Sequence, residues 1–432
     1  MIILLFACVF VLLLLGFPVA FCLGGVAVLF GLFHEGVNLA LLPARTFGIM
    51  DNEVLVAVPL FVYMGVMLER SGIAESMLET MALIFGRVRG GLAISVVLVG
   101  GLLAASTGIV GATVVTMGLL SLPTMLKRGY SKELTTGTIA ASGTLGQIIP
   151  PSIVLILLGN VLNVPVGHMF KAAMLPGLIL VGLYLLWIAG VAFFRPGSAP
   201  AMPASEIAAF QGGGRLIARV IKAFLPPVVL MVAVLGSIFA GIASPTEASA
   251  VGALGATILT ALHRKLSLKT LRHVMRETTS LTSMVFIILV GAAAFSLVFR
   301  DLGGEDYMRD LLPDPNESHG RYLLVIMLVI FVAGFFIDFI EIIYIVIPVI
   351  LAAPPTEVNL LWLGILIAMN QQTSFLTPPF GFALFYLKGV APPEIKTLHI
   401  YRGIVPFIAI QIIALILVLL FPDLVLWAIP TD

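Results

Sequence analysis

The chain has 432 residues, of which 60% are hydrophobic and only 10% charged, with a formal net charge of +1 and a mean hydropathy of +1.16. Soluble domains carry about a quarter charged residues, so this composition excludes a soluble globular protein and describes an integral membrane protein with many spans. Balanced charge offers no basic face for nucleic acid. Cys8 and Cys22 sit in apolar sequence with neither metal spacing nor a disulfide framework, as core thiols do.

Residues 2–33 are apolar with one interruption, Gly16-Phe17-Pro18. A single helix of that length would rise about 50 Å against a hydrocarbon core of about 30 Å, which predicts two short spans, 2–15 and 18–33. Without a basic n-region or an Ala-x-Ala-like site, the segment reads as mature membrane sequence, not a signal peptide. A polar connection over 34–53 leads to a span at 54–70. Next, Met77, Met81, Leu83 and Ile84 are set against Glu75, Glu79, Arg87 and Arg89, the pattern of an amphipathic helix lying in the interface.

Residues 88–127 are apolar but rich in Gly, Ser and Thr, which predicts a re-entrant hairpin with its tip at Ser106-Thr107-Gly108. The next span, 133–163, is broken at TLGQIIPPS, and a further span at 173–194 precedes a polar cytoplasmic connection, 195–222, carrying Arg195, Arg215, Arg219 and Lys222. Spans follow at 224–241 and 247–262, then a basic segment from His263 to Arg276, a span at 278–300 and an acidic connection from Asp301 to Glu317. A second hairpin at 322–352, with Gly334 and Asp338 at its tip, a second broken span at 357–387 and a last span at 403–429 complete the series. Glu247, in Ser-Pro-Thr-Glu, reads as the first turn of a capped helix.

The two halves repeat: Pro150-Pro151 and Pro378-Pro379 lie 378 − 150 = 228 residues apart, and Gly65 and Gly291 lie 291 − 65 = 226 apart. Residues 1–194 and 223–432 therefore form two repeats. Lys and Arg concentrate at 127–132, 195–222, 264–276 and 388–402, whereas 34–53 and 301–317 are acid-rich. The positive-inside rule accommodates this only if both hairpins are re-entrant and the repeats inverted, with both termini periplasmic. The expected fold is an all-α polytopic membrane protein of about ten spans, two re-entrant hairpins and two broken helices.

A helix broken inside a bilayer leaves backbone groups that cost several kcal/mol each unless protein or a ligand satisfies them. The hairpin tips should meet the breaks, gathering Ser106, Thr107 and Gly108 with Gly143, Thr144, Gly146, Gln147 and Pro150 in one half, and Gly334 and Asp338 with Gln371, Gln372, Thr373, Ser374 and Thr377 in the other. Hydroxyls, amides and freed carbonyls are hard ligands suited to Na⁺, and helix N-termini near Ser152 and Phe380 can face an anion. Thr107, Gln147, Ser152, Gln372 and Thr377 are the expected substrate contacts. An acid as deep in apolar sequence as Asp338 calls for a cation, a proton or a partner. No phosphate-cradling Gly-x-x-x-x-Gly-Lys-Ser/Thr motif is present, so active transport would draw on an ion gradient or a separate ATPase.

The blocks GLLAASTGIVGATVVTMGLLSLPTMLKRGYSKELTTGTIAASGTLGQIIPPS, ASPTEASAVGALGA and QTSFLTPPFGFALFYLKGV, with the opening LLLLGFPVAF, closely resemble the large membrane subunit of tripartite ATP-independent periplasmic (TRAP) transporters. The resemblance covers nearly the whole chain. It implies an elevator-type, Na⁺-coupled importer of an organic acid (a dicarboxylate, sialic acid or a similar carboxylate) in the bacterial inner membrane. It also implies a periplasmic substrate-binding protein and a small four-helix membrane subunit, expected as a separate chain. Carried over, the family's ion sites fall on Ser106, Gly108, Gly146 and Pro150, and on Gly334, Asp338, Thr373 and Ser374. A stand-alone symporter of similar architecture is the neighbouring reading. An intramembrane enzyme using Asp338 with Glu341 is a third, and it lacks a nucleophile–base pairing.

Overall fold

A computed structural model describes residues 1–34, 36–203, 214–313, 318–351 and 358–427. Glu35, residues 204–213 of the 195–222 connection, the Glu317 end of the acidic connection, residue 352 of the second hairpin and residue 357 of the second broken span lie outside them, as do residues 428–429 of the last span. The described residues form helices and connecting turns, with no strand among them.

Among the described residues, five helices are long and apolar enough to cross a bilayer: Val110–Lys127, Val166–Phe194, Val220–Phe239, Leu268–Asp301 and Thr397–Leu420. The helices Leu39–Met50 and Glu53–Arg70, bent by 52°, make a sixth if taken as one span. Fewer helices reach full span length than the ten or so expected. The remaining apolar runs are cut short by Gly and Pro: Ile2–Leu14 and Val19–Phe33 are separated at Gly16, whose φ of +83° only glycine adopts readily.

Several boundaries differ from those expected. The helix Val166–Phe194 begins directly after Pro165, through Gly167, His168 and Lys171, whose polarity masks its start. Helix resumes at Gly214 inside the expected connection. The basic segment is divided: His263 ends one helix, while Leu268 onward belongs to the same 34-residue helix as the following span, capped by Ser267. The last helix covers Thr397–Leu420, not 403–429, because Pro422 keeps Phe421 out of the helical region, at φ −124° and ψ 77°. Ser244 and Glu247 form a reciprocal capping box at the start of Pro245–Leu262.

The elements recur in order along the two halves. Gly91–Thr107 matches His319–Ala333 (319 − 91 = 228), Lys132–Thr144 matches Leu360–Leu376 (360 − 132 = 228), and Ile153–Val161 matches Phe382–Val390 (382 − 153 = 229). Contacts between the halves are reciprocal: Val19–Phe33 packs along Leu268–Asp301, and its counterpart Pro245–Leu262 packs along Ala57–Arg70. Reciprocal pairing of this kind is what a two-fold relation produces. The first crossing is close because a Cβ on Gly291 would collide with the Ala20 backbone. The hairpins and broken helices occupy the middle of this arrangement, where Thr135, Thr138, Thr144, Gln147, Gln371 and Gln372 are fully buried.

Candidate functional site

The first hairpin joins Gly91–Thr107 to Val110–Lys127 through Gly108, left-handed at φ +63°. At its tip Ser106 Oγ donates to the Leu103 carbonyl (2.8 Å), and the hydroxyls of Thr107 and Thr113 share a hydrogen bond of 2.7 Å. The first broken helix runs Lys132–Thr144, tightens over Leu145–Gln147, turns through a cis Pro150–Pro151 bond and restarts as Ile153–Val161. Tip and break meet backbone to backbone. A Cβ on Gly146 would lie within the Ala104 carbonyl, and one on Gly108 would press on Ile153. On the other side of the tip, a Cβ on Gly65 would strike the backbone of Ser106 and Thr107. Ser152, an expected substrate contact, is fully buried and donates to the Gln147 carbonyl at 2.8 Å, across the break.

In the second half, His319–Ala333 ends at Gly334, and Asp338 caps the returning arm, its Oδ1 accepting from Phe339 N–H at 2.7 Å. That arm widens into a π turn over Ile342–Val346, directly after the buried Glu341. The second broken helix runs Leu360–Leu376, passes a cis Pro378–Pro379 bond and restarts as Phe382–Val390. Gly334 sits against Ser374, since a Cβ there would overlap the Ser374 hydroxyl. The Thr373, Ser374 and Thr377 hydroxyls each donate 2.8 Å bonds to carbonyls of their own helix, at Met369, Gln371 and Thr373.

The two breaks touch. Gln372 Nε2 donates to Thr144 Oγ1 at 3.4 Å, and the two residues are counterparts in the repeat (372 − 144 = 228). Gln411 Nε2 donates to the Tyr184 hydroxyl at 2.9 Å, again between near-counterparts (411 − 184 = 227). Equivalent residues meet each other only on a two-fold axis. The second arms cross over as well: Phe382–Val390 packs on the first hairpin, with the Tyr386 ring against Gly111, and Ile153–Val161 packs on the second, Asn160 accepting from Tyr344.

Polar capacity remains at this centre. Both amide atoms of Gln147 and of Gln371 are buried without a protein partner, as is Oε1 of Gln372. Each buried, unpaired polar group costs about 1–3 kcal/mol, so a cluster of them marks where a polar guest restores hydrogen bonds. The sequence pointed to Gln147 and Gln372; Gln371 stood among the break residues and not among the substrate contacts. A further contact carried no sequence signal: Glu69, at the end of Ala57–Arg70, accepts from Thr116 of the first hairpin at 2.6 Å. Among the described residues no group of three or more His, Cys, Asp or Glu is placed to hold a metal ion, so hydroxyl, amide and carbonyl oxygens are the donors on offer.

Paired polar breaks at the centre of a duplicated, multi-pass helical membrane protein define a transporter's architecture. The comparisons with known proteins bear directly on this. Residues 6–424 match the family described as "Tripartite ATP-independent periplasmic transporter, DctM component". The C4-dicarboxylate TRAP transporter large permease protein of Vibrio cholerae is 30% identical over 98% of this chain and 96% of its own length. The ectoine TRAP transporter large permease of Halomonas elongata is 29% identical (96% of both chains), and the sialic acid TRAP transporter large permease of Vibrio cholerae 27% (96% and 95%). In fold, the crystal structure of the Alcanivorax borkumensis YdaH transporter is similar with a TM-score of 0.58, covering 93% of this chain and 96% of that one at 14% identity. The chain belongs to the TRAP transporter large permease family, and it is a membrane transport protein, not an enzyme.

Proposed function

We propose that this chain is the translocating subunit of a Na⁺-coupled importer of an organic acid in the bacterial inner membrane. A periplasmic binding protein delivers the substrate, and a small membrane subunit completes the scaffold. The observation that carries the reading is the pair of buried, unpartnered amides, Gln147 at the first helix break and Gln371 just before the second. One Na⁺ is assigned to Ser106, Gly108, Gly146 and Pro150, the other to Gly334, Asp338, Thr373 and Ser374; both sets offer the hard oxygen donors that Na⁺ takes. The carboxylate substrate lies between them, bounded by Thr107, Gln147, Ser152, Gln372 and Thr377. Three curated relatives named for a C4-dicarboxylate, ectoine and sialic acid support a small polar organic solute as cargo.

The hairpins and broken helices share the central contacts and move together as an elevator past the outer helices. Re-entry of both hairpins, with the termini periplasmic, follows from the distribution of Lys and Arg. The test is uptake into proteoliposomes containing this chain, its small subunit and the binding protein. Replacing external Na⁺ by K⁺ abolishes uptake; unchanged uptake in K⁺ refutes Na⁺ coupling. Full uptake by this chain alone refutes the tripartite assembly and leaves a stand-alone symporter.

A further inference from the structure

The helix Leu268–Asp301 opens with a stripe of cations, Lys269, Arg272, His273 and Arg276, at the i, i+3, i+4, i+7 spacing that puts them on one face. With Arg70 from the neighbouring helix they line an open groove of about 660 Å³. Glu277 accepts from Arg70 at 3.3 Å and from His273 at 3.0 Å, and the Glu69 carboxylate lies within electrostatic reach of the same two cations. Lys269, Arg272 and Arg276 have no carboxylate partner among the described residues.

One to two turns further along the same helix, a second groove of about 520 Å³ is walled by Leu60, Tyr63, Met275, Thr279 and Ser283. The Tyr63 hydroxyl is already engaged with Thr257 at 2.9 Å, and this leaves its ring as an apolar wall. Buried Thr278 and half-buried Thr282 leave hydroxyl oxygens unpartnered beside it. From Arg272 to Thr279 the helix rises about 10 Å, so a cationic mouth gives way to an apolar slot over the depth at which a lipid changes from headgroup to acyl chain.

We propose that this composite groove is a binding site for an anionic phospholipid. The phosphodiester is held by Arg272, Arg276 and Lys269, and an acyl chain lies along Tyr63 and Leu60. Three cations without partners would repel one another in a site left bare, and an anion bearing an apolar tail satisfies both parts of the groove. Basic pockets next to spanning helices hold anionic headgroups by this chemistry. The groove is built from Ala57–Arg70 and Leu268–Asp301, and the first of these also packs on the first hairpin tip at Gly65, so its occupant acts on the frame against which that hairpin bears.

The experiment compares the purified full-length chain in nanodiscs of phosphatidylcholine alone and with a fifth phosphatidylglycerol. The expected result is a higher unfolding temperature with phosphatidylglycerol, and a more than tenfold loss of its apparent affinity in Arg272→Gln/Arg276→Gln but not in the remote Lys396→Gln. Equal stability in both lipids overturns the proposal, as does an undiminished response in the double variant. Inorganic phosphate in phosphatidylcholine reproducing the whole effect makes the groove a free-anion site and also overturns it. Independently, a photo-reactive residue at the exposed Thr279 should yield phospholipid adducts in native membranes; adducts only to an acidic protein segment would show that a protein partner occupies the groove.

Discussion

The two half-sites share a backbone plan and differ in chemistry at corresponding positions. Where the first half has Gly108, Gln147 and Ser152, the offset of 228 (336 − 108) places Phe336, Phe375 and Phe380 in the second. Phe336 and Phe380 pack tip against break with ring centroids 5.3 Å apart, and Phe375 contacts Phe382 at the same separation. The serine and glycine are interchanged: Ser106 and Gly146 correspond to Gly334 and Ser374, so the tip carries the hydroxyl in one half and the break carries it in the other. The second half adds the carboxylates of Asp338 and Glu341. Duplication supplied two frames, and divergence made one small and polar while the other became aromatic and acidic.

The largest effect expected is from Gly146→Ala. Its methyl group would meet main-chain atoms of Ala104, which cannot rotate away, so uptake should fall by more than about a hundredfold, with a lowered unfolding temperature. If Gly146→Ala transports normally, the first half-site is not closed backbone to backbone. Next, Asp338→Asn should cut uptake by more than about tenfold and flatten its Na⁺ dependence while the protein remains folded, since the amide still caps Phe339. Unaltered Na⁺ dependence would remove the acid from the cation site and erase the main chemical difference between the halves.

The interchange of serine and glycine can be tested directly. Gly334→Ser should lose most uptake by crowding Ser374, and adding Ser374→Gly should restore a measurable part of it by recreating the first half's arrangement. A double variant no better than the single shows that the halves are not interchangeable at this pair. A smaller and opposite effect on stability is expected of Gln371→Leu. Removing an unpartnered buried amide should stabilise the substrate-free protein by about 1 kcal/mol in thermal unfolding while raising the substrate concentration needed for half-maximal uptake. Destabilisation with unchanged uptake kinetics would assign Gln371 to packing. Smallest, Gln372→Met should cost about 0.5–1 kcal/mol by removing the Thr144 bond between the halves.

Much of the plan was legible because Gly and Pro punctuate it. Pro150-Pro151 and Pro378-Pro379 fix both breaks, and Gly108 marks the first tip, where the chain needs a left-handed residue. The second tip was legible through Asp338, although Gly334 there is right-handed and serves close packing on Ser374. What was hidden depends on partners distant in sequence. Ser152 has the look of a substrate-facing helix start, and only the fold turns its hydroxyl onto Gln147. Glu69 ends an apolar run as many span-flanking acids do, and nothing local announces Thr116 as its partner. The last helix was misplaced because apolar sequence continues past Leu420, which disguises the stop imposed by Pro422.

The bond between Thr144 and Gln372 also says something about origins. In a symmetric pair of half-length proteins, any residue on the rotation axis faces its own copy, so threonine would meet threonine or glutamine would meet glutamine. A heterologous contact at that point becomes available only once the two halves are encoded by separate copies of the sequence, each free to mutate on its own. Mispairing two first halves would bury threonine against threonine at this point, so the residue pair on the axis also favours assembly of unlike halves.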